Sequence, residues 1–278
     1  MKIDLTQKRV LVTAGADGIG RATARAFAAA GADVHVCDID ETALERVRRE
    51  GLSGTQTDVS SSREVDQLFA ELAGKWEGLD VLVNNAGIAG PTKPIEEVTD
   101  EEWAAILGVN VSGQFYCLRQ AIPLLKRQKS GAVINISSTA GRIGMPLRAP
   151  YSTTKYAVRG LTDVLAIELG EHNIRVNCIL PGLIDGPRGK RVVEEQAAMR
   201  GIEPQRYLAA MLHNISLHTM IDMEEVANLA VYLASDHARH ISGQSIGVCG
   251  NFESYRSPLS IAPTDLTFSA GEERAPAE

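Results

Sequence analysis

The chain has 278 residues, of which 44% are hydrophobic and 23% are charged, as in a globular protein of one large or two small domains. Its net charge is −7 and its 28 lysines and arginines are scattered, which argues against nucleic acid or an anionic membrane as a partner. The N-terminus lacks the apolar segment of a secretion signal, and no run of about 18 apolar residues occurs, so we expect a cytoplasmic protein without membrane spans.

The four cysteines are far apart and show neither zinc-ligand nor disulfide spacing. We interpret them as small buried apolar residues. Only His237 and His240 lie close together among the histidines, and no further ligands surround them, so we expect no metal site.

Short β-branched segments alternate with longer helical patterns along the chain. Strands are predicted at residues 9–13, 33–37, 55–57, 81–84, 132–136, 174–179 and 245–248. Helices are predicted at residues 19–30, 41–50, 61–75, 101–129, 152–171 and 224–234. Pro123 predicts a kink or a break near Ile122. The alternation indicates an α/β fold, with a doubly wound parallel sheet of about seven strands and helices on both faces.

No interdomain linker interrupts this pattern. We therefore predict a single domain over residues 1–256. Residues 257–278 are polar and contain prolines, which predicts a tail that is poorly ordered or lies at a subunit interface.

The turn after the first predicted strand is rich in small residues. It reads Thr-Ala-Gly-Ala-Asp-Gly-Ile-Gly from residue 13 to residue 20, and its glycine spacing differs from the G-x-G-x-x-G of longer dinucleotide-binding enzymes. The amides of such a turn, together with the N-terminus of the following helix, can bind a pyrophosphate. Asp38 ends the second strand, where a carboxylate accepts hydrogen bonds from ribose hydroxyls and repels a 2′-phosphate. Asp38 could instead cap the next helix, although Asp40 is better placed for that.

Tyr151 and Lys155 lie four residues apart at the start of a predicted long helix. Residues at this spacing share one helix face, so a lysine can lower the pKa of a phenol beside it. Alone, such a pair is more often a half-buried aromatic residue and a solvated charge. In the context of a nucleotide-binding turn, it is a candidate acid/base pair.

In this order, the motifs resemble the short-chain dehydrogenase/reductase family over about residues 5–255. The turn is similar to the family's T-G-x-x-x-G-I-G, with Ala14 in place of the usual first glycine. Further landmarks are Asp58-Val59, Asn84-Asn85-Ala86-Gly87, Asn110, Ser138 thirteen residues before Tyr151, and Pro181-Gly182-Leu183-Ile184, after which Gly186 replaces the usual threonine.

The resemblance implies a Rossmann-like enzyme that uses a nicotinamide cofactor, which the acid at Asp38 predicts to be NAD. The expected catalytic residues are Tyr151 as acid/base, Lys155, Ser138 as a hydrogen-bond donor to the substrate oxygen, and Asn110. The resemblance also implies that Lys155 holds the nicotinamide ribose and that Asn110 holds a water of a proton relay. The expected cofactor-binding residues are Gly15, Asp17, Gly18, Ile19, Asp38, Asp58, Val59, Asn85, Ala86, Gly87, Tyr151, Lys155, Pro181, Gly182 and Ile184.

Substrate recognition is expected from the segment at about residues 185–220, which is a lid in the family. Candidate substrate residues are Ser138, Tyr151 and four arginines: Arg142, Arg148, Arg188 and Arg191. Such cations can bind an anion or a polyol, although each one singly could be an ordinary surface residue. Because only 5% of the residues are aromatic and the lid is polar, we expect a small polar substrate such as a sugar, a polyol or a hydroxy acid.

The sequence leaves two alternatives open: an NADP-dependent carbonyl reductase, and a dinucleotide-sensing regulator without catalysis. The predicted helices that precede and contain Tyr151 carry apolar stripes, which fit the paired-helix interface of the family's tetramers. A homotetramer is therefore an expectation from the resemblance, although core packing explains part of this pattern equally well.

Overall fold

The computed structural model of the chain describes residues 2–252. The predicted tail at residues 257–278 lies outside the described residues. The strands in the described part are β1 (Arg9–Thr13), β2 (Asp33–Asp38), β3 (Ser53–Gln56), β4 (Val81–Asn84), β5 (Gly131–Ile136), β6 (Ile174–Pro181) and β7 (Ser245–Val248). Its α-helices are α1 (Gly18–Ala29), α2 (Glu41–Arg49), α3 (Ser62–Lys75), α4 (Asp100–Leu107), α5 (Gly113–Gln128), α6 (Ala149–Gly170), α7 (Pro187–Ala198), α8 (Pro204–His213) and α9 (Met223–Ala234).

All seven strands form one parallel sheet in the order β3-β2-β1-β4-β5-β6-β7. The order of connection reverses between β1 and β4. In such open sheets, ligands bind outside the carboxyl ends of the strands at this reversal. The predicted doubly wound α/β fold is therefore confirmed, and its topology indicates where the site lies.

Successive strand residues point to opposite faces, and each face is covered by helices. In β1, Val10 and Val12 belong to a core cluster that includes Phe27 of α1 and Ala230 of α9. Leu11 belongs to a second cluster, on the other face, with side chains from α3, α5 and α6. The four cysteines are buried, as the sequence predicts.

The predicted helix at residues 101–129 is interrupted at a different place from the one expected. The prediction of a break near Ile122 is wrong, because α5 continues through Pro123. The irregularity lies upstream, where a π-helical turn spans Gly108–Ser112 and contains Asn110. A π-helical turn adds a residue between helical segments and commonly marks a functional position.

The segment at residues 185–220 contains two helices that the sequence pattern did not predict, α7 and α8. An apolar cluster joins α7 and α8 to the segment after β7, through Val193, Leu208 and Phe252. Within residues 2–252, no helix has both the length and the apolar character needed to cross a membrane.

Candidate active site

A cleft of about 370 Å³ lies at the carboxyl edge of the sheet. At one end it is lined by Asp17, Gly18 and Asp38, and at the other by Tyr151 and Lys155. Asp17 and Gly18 follow β1, Asp38 ends β2, and Tyr151 and Lys155 lie in the first turns of α6. The parallel sheet brings these positions to one edge. A second cavity, of about 500 Å³, is lined by residues such as Asp4, Lys8 and Asn173 and contains none of the predicted site residues.

The turn from β1 to α1 requires glycine at two positions. A Cβ atom at Gly20 would lie 2.0 Å from the carbonyl oxygen of Ala14, and one at Gly15 would lie 2.6 Å from the Val36 side chain. Ala14 has a φ of +47°, a left-handed conformation that glycine adopts more easily. The amide of Asn85 stabilises this conformation because its Nδ2 donates to the carbonyl oxygens of Thr13 and Ala14, each at 3.0 Å.

Asp38 connects this turn to the end of β2. Its carboxylate accepts hydrogen bonds from the backbone N–H groups of Ala16 and Asp40, each at 3.1 Å. Asp40, not Asp38, caps α2 through the N–H of Ala43. Asp17 adds a second carboxylate to the same end of the cleft and pairs with Arg46 at 3.6 Å. The turn and Asp38 are therefore placed to hold a dinucleotide.

Tyr151 and Lys155 lie in the first turns of α6, on one face of the helix. The Lys155 ammonium lies 5.7 Å from the centroid of the Tyr151 ring and donates to the carbonyl oxygen of Ile136 at 2.9 Å. Lys155 is buried. Ser137 stabilises this part of α6 by donating to the carbonyl oxygen of Lys155 at 2.7 Å.

The electrostatic environment suits proton transfer by the phenol. Burial raises the pKa of Tyr151, but nearby cations and a hydrogen bond with Ser138 outweigh it, so the pKa lies below the ordinary tyrosine value. The cations, in order of effect, are Lys155, Arg188 and Arg148. Burial also lowers the pKa of Lys155, and the nearby Tyr151 phenol opposes that shift. A phenol with a lowered pKa is a better base near neutral pH.

Ser138 lines the cleft beside Tyr151, and its hydroxyl accepts a hydrogen bond from the N–H of Ala140 at 3.1 Å. This bond orients the Ser138 oxygen. The neighbouring Ser137 hydroxyl is already engaged with Lys155, so the choice of Ser138 from its distance in sequence to Tyr151 agrees with the geometry.

Asn110 is buried in the π-helical turn and organises the loop beside Lys155. Its amide contacts both the N–H and the carbonyl of Ile88, at 2.7 and 3.0 Å, and donates to the Thr154 hydroxyl at 3.0 Å. A Cβ atom at Gly87 would lie 3.3 Å from both the Asn110 oxygen and the Lys155 nitrogen. The absence of a side chain at Gly87 therefore leaves room for both of these side chains.

The cleft contains most of the predicted cofactor residues. Those that line it are Asp17, Gly18, Ile19, Asp38, Asn85, Gly87, Tyr151, Lys155, Pro181, Gly182 and Ile184. The others lie outside its lining: Gly15 packs on Val36, Ala86 donates to the Thr13 hydroxyl, Val59 is in the core, and the Asp58 carboxylate accepts from Ser60. Gly186, which replaces the family's threonine, is packed against Met223, since a Cβ there would lie 2.3 Å from the Met223 methyl.

Only two of the four candidate arginines line the cleft, namely Arg148 and Arg188. Arg142 and Arg191, the other two predicted substrate residues, do not line it. The Arg142 guanidinium donates to the carbonyl oxygen of Ser245 in β7, and Arg191 lies on the exposed side of α7 with Glu195 at 3.9 Å.

Several apolar residues of the cleft were not predicted from the sequence. They come from the loop before α6, from α7 and α8, and from the segment after β7: Met145, Val192, Met211 and Phe252. Gln196 of α7 adds a polar group and accepts a hydrogen bond from the Tyr207 hydroxyl at 2.7 Å. The substrate end is thus more apolar than a polar lid predicts. No sequence motif marks these positions, because they meet only when α7 and α8 fold over the sheet. Within residues 2–252, no three His, Cys, Asp or Glu side chains are arranged to hold a metal ion.

The chain is similar to known proteins over most of its length. The family model described as "Enoyl-(Acyl carrier protein) reductase" matches residues 13–252. A 2,5-dichloro-2,5-cyclohexadiene-1,4-diol dehydrogenase of Sphingobium indicum is 36% identical over 255 residues, which cover 90% of this chain and 98% of the relative.

Two solved structures share the fold at 30% identity. A variant of actinorhodin polyketide ketoreductase, solved with NADPH, has a TM-score of 0.85, and the match covers 90% of this chain and 98% of the ketoreductase. NAD⁺-bound xylitol dehydrogenase has a TM-score of 0.84, and the match covers 88% of this chain and 98% of the xylitol enzyme. The chain belongs to the short-chain dehydrogenase/reductase family of oxidoreductases, which bind a nicotinamide dinucleotide.

Proposed function

We propose that the protein is an NAD-dependent dehydrogenase that interconverts a secondary alcohol and a ketone on a small polar substrate. One observation carries the proposal. A phenol with a lowered pKa, Tyr151, lies at one end of the same cleft whose other end is lined by Asp38.

The residues of the chain provide proton transfer and positioning. A bound nicotinamide ring supplies the hydride acceptor. In oxidation, Tyr151 takes the hydroxyl proton of the substrate, and in reduction it returns a proton to the carbonyl oxygen. Lys155 favours the ionised phenol, and Ser138 donates to the substrate oxygen as negative charge develops on it.

The preference for NAD rests on two acids. Asp38 and Asp17 both line the nucleotide end of the cleft, where a 2′-phosphate would meet two negative charges. The Arg46 guanidinium approaches this end, but Asp17 pairs with it. Relatives of known structure are bound to either cofactor, so the acids of this chain are the argument for NAD.

The small polar substrate is supported by the side chains around Tyr151. Ser138, Arg148, Arg188 and Gln196 supply hydrogen-bonding groups, while Met145 and Val192 bound the space with apolar surface. A protein of the same fold is a xylitol dehydrogenase, and xylitol is a small polyol.

The test is a panel of secondary alcohols in which turnover is followed by the absorbance of the NADH or NADPH that forms. The panel contains sugars, polyols, hydroxy acids and bulky apolar alcohols, each with NAD⁺ and NADP⁺. We expect turnover with small polar members and NAD⁺. Turnover confined to bulky apolar alcohols would refute the substrate class, and binding of NAD⁺ without turnover of any alcohol would favour the regulator.

We also propose a homotetramer. An apolar groove between α5 and α6 is lined by Val111, Phe115, Ala157, Val158, Gly160, Leu161 and Val164. Phe115 and Val164 are 49% and 52% exposed, which is unusual for large apolar residues of a monomer. Light scattering of the wild type and of Val164→Asp tests this: we expect a tetramer for the wild type and smaller species for the variant.

A further inference from the structure

Two guanidinium groups from different parts of the chain converge on Tyr151. The Arg148 guanidinium, at the N-terminus of α6, lies 4.8 Å from the centroid of the Tyr151 ring. Arg188, in the first turn of α7, crosses the cleft and donates to the carbonyl oxygen of Gly87 at 2.8 Å. Both arginines line the cleft, and the charges of both act on the Tyr151 phenol.

Among the described residues, Arg148 is a buried cation without a direct counter-ion. It is 3% exposed, and it donates to the Thr92 hydroxyl and to the carbonyl oxygen of Ala89, each at 3.1 Å. Both acceptors are uncharged. Glu195 is connected to Arg148 only indirectly. The Thr92 hydroxyl accepts a hydrogen bond from Arg148 and donates one to the Glu195 carboxylate at 3.1 Å. Within residues 2–252, no carboxylate oxygen lies within the 4.0 Å ion-pair distance of Arg148 or Arg188.

Several arginines elsewhere in the molecule have acidic partners. Arg9 pairs with Asp80, Arg21 with Glu50 and Arg48 with Glu41. A buried cation without an anion is strongly unfavourable, and a ligand that supplies the anion removes this penalty. The buried Arg148, with the exposed Arg188 lining the same cleft, is therefore suited to bind a negatively charged group.

We propose that the substrate is a short hydroxy acid whose carboxylate binds between Arg148 and Arg188. This inference rests on the proposed dehydrogenase function and narrows its substrate class. Arg148 stacks on the Tyr151 ring. A substrate that binds Arg148 through its carboxylate and Tyr151 through its hydroxyl must therefore carry these two groups only a few bonds apart. Met145, Val192 and Met211 leave an apolar wall for a small alkyl substituent.

The electrons and the proton of the proposed reaction balance. The carbinol carbon gives a hydride to NAD⁺, and its hydroxyl gives a proton to Tyr151, so a hydroxy acid and NAD⁺ become an oxo acid, NADH and a proton. The carboxylate stays ionised throughout. Arg148 and Arg188 thus position the substrate, while Tyr151 handles the proton.

The first test compares a carboxylate with a neutral analogue of the same shape. Oxidation of 3-hydroxybutanoate and of 3-hydroxybutanamide is followed by NADH formation, with the wild type, Arg188→Gln, Arg148→Lys and Arg148→Gln. We expect the wild type to prefer the acid by about tenfold or more in kcat/KM, as for a charge-assisted hydrogen bond. Because the Arg188 charge also lowers the pKa of Tyr151, Arg188→Gln should slow both substrates, but its loss for the acid should exceed its loss for the amide by about that factor, mainly through KM.

Lys190→Gln is the matched control, because it removes a charge from the same helix at an exposed position paired with Asp185. It should leave both substrates unaffected. Arg148→Gln removes a buried group and could prevent folding, so Arg188→Gln, at an exposed residue, decides the outcome. Equal activity on acid and amide in the wild type, with no selective loss in Arg188→Gln, overturns the proposal and leaves the dehydrogenase function in place.

A binding measurement separates the two proposals if neither compound is oxidised. Butanoate and butanamide, which cannot react, are titrated into the NADH complex while NADH fluorescence is recorded. Butanoate binding that is weakened by about tenfold in Arg188→Gln supports the anion site even where the proposed reaction fails. Indistinguishable titrations with butanoate and butanamide overturn it.

Discussion

The sharpest test of the site is Tyr151→Phe, which removes one oxygen and keeps the aromatic ring. The ring contacts with Arg148 and Lys155 remain, as do the Asp38 end of the cleft and the hydrogen bond from Lys155 to Ile136. The variant therefore loses the group proposed to exchange the proton but retains the proposed nucleotide site.

The expected loss follows from the role of the phenol. General acid–base catalysis contributes about 10²- to 10⁴-fold, which corresponds to about 3–5 kcal/mol of barrier. We expect turnover to fall by this factor and the NADH dissociation constant to change by less than about twofold.

Steady-state NADH formation and NADH fluorescence titration measure the two quantities. Tyr156→Phe is the matched control: it removes a hydroxyl from a nearby residue of the same helix, which is 44% exposed and does not line the cleft. Retention of more than about a tenth of the turnover by Tyr151→Phe, or an equal loss in Tyr156→Phe, would refute the assignment of the acid/base.

The pH dependence of oxidation also tests the role of Tyr151, because the direction of the change in rate can be predicted. Oxidation needs the ionised phenol, so the rate should rise with pH through the pKa of Tyr151, which lies below the ordinary tyrosine value. Replacing Lys155 by methionine removes the largest of the effects that lower this pKa, so the rise should shift to higher pH. A pH profile that is unchanged in Lys155→Met would contradict the electrostatic role of the lysine.

Three further predictions concern the cofactor end and the sheet. Asp38→Ser, combined with Asp17→Ser, should raise kcat/KM with NADP⁺ relative to NAD⁺ by about tenfold or more, and an unchanged ratio in steady-state kinetics would remove the argument for NAD. Gly20→Ala should weaken NADH binding by about 10- to 100-fold, because its Cβ would lie 2.0 Å from the Ala14 carbonyl oxygen, whereas Gly74→Ala, with open space around it, should bind NADH normally. Burial, assisted by Lys75, lowers the pKa of His35 to about 4. The unfolded chain then binds the extra proton first, so the contribution of His35 is fully present above its unfolded pKa of about 6.5 and falls by about 3 kcal/mol as the pH drops to about 4. Denaturant titrations above about pH 6.5 and at about pH 4 should show that the free energy of unfolding falls less between these pH values in His35→Gln than in the wild type.

Local patterns in the sequence determine much of this protein. The alternation of β-branched segments with helices predicted a parallel sheet, because strands buried on both faces need continuous apolar sequence. The Tyr151–Lys155 pair could be identified because one helix places residues four apart on one face. Asp38 and the glycine turn could be identified because they directly follow strands, whose carboxyl ends meet at one edge.

Contacts between distant segments were decided only by the tertiary structure. Arg142 and Arg148 belong to the same loop, yet the first donates to β7 and the second stacks on Tyr151. Nothing in the local sequence around them distinguishes the two. Likewise, Pro123 is accommodated inside α5, whereas the chain deviates from α-helical geometry at Gly108–Ser112, where the buried Asn110 amide pairs with Ile88 and Thr154. A side chain's partner depends on where other elements pack, so the sequence indicated the chemistry of the site, and the fold decided which arginines line the cleft.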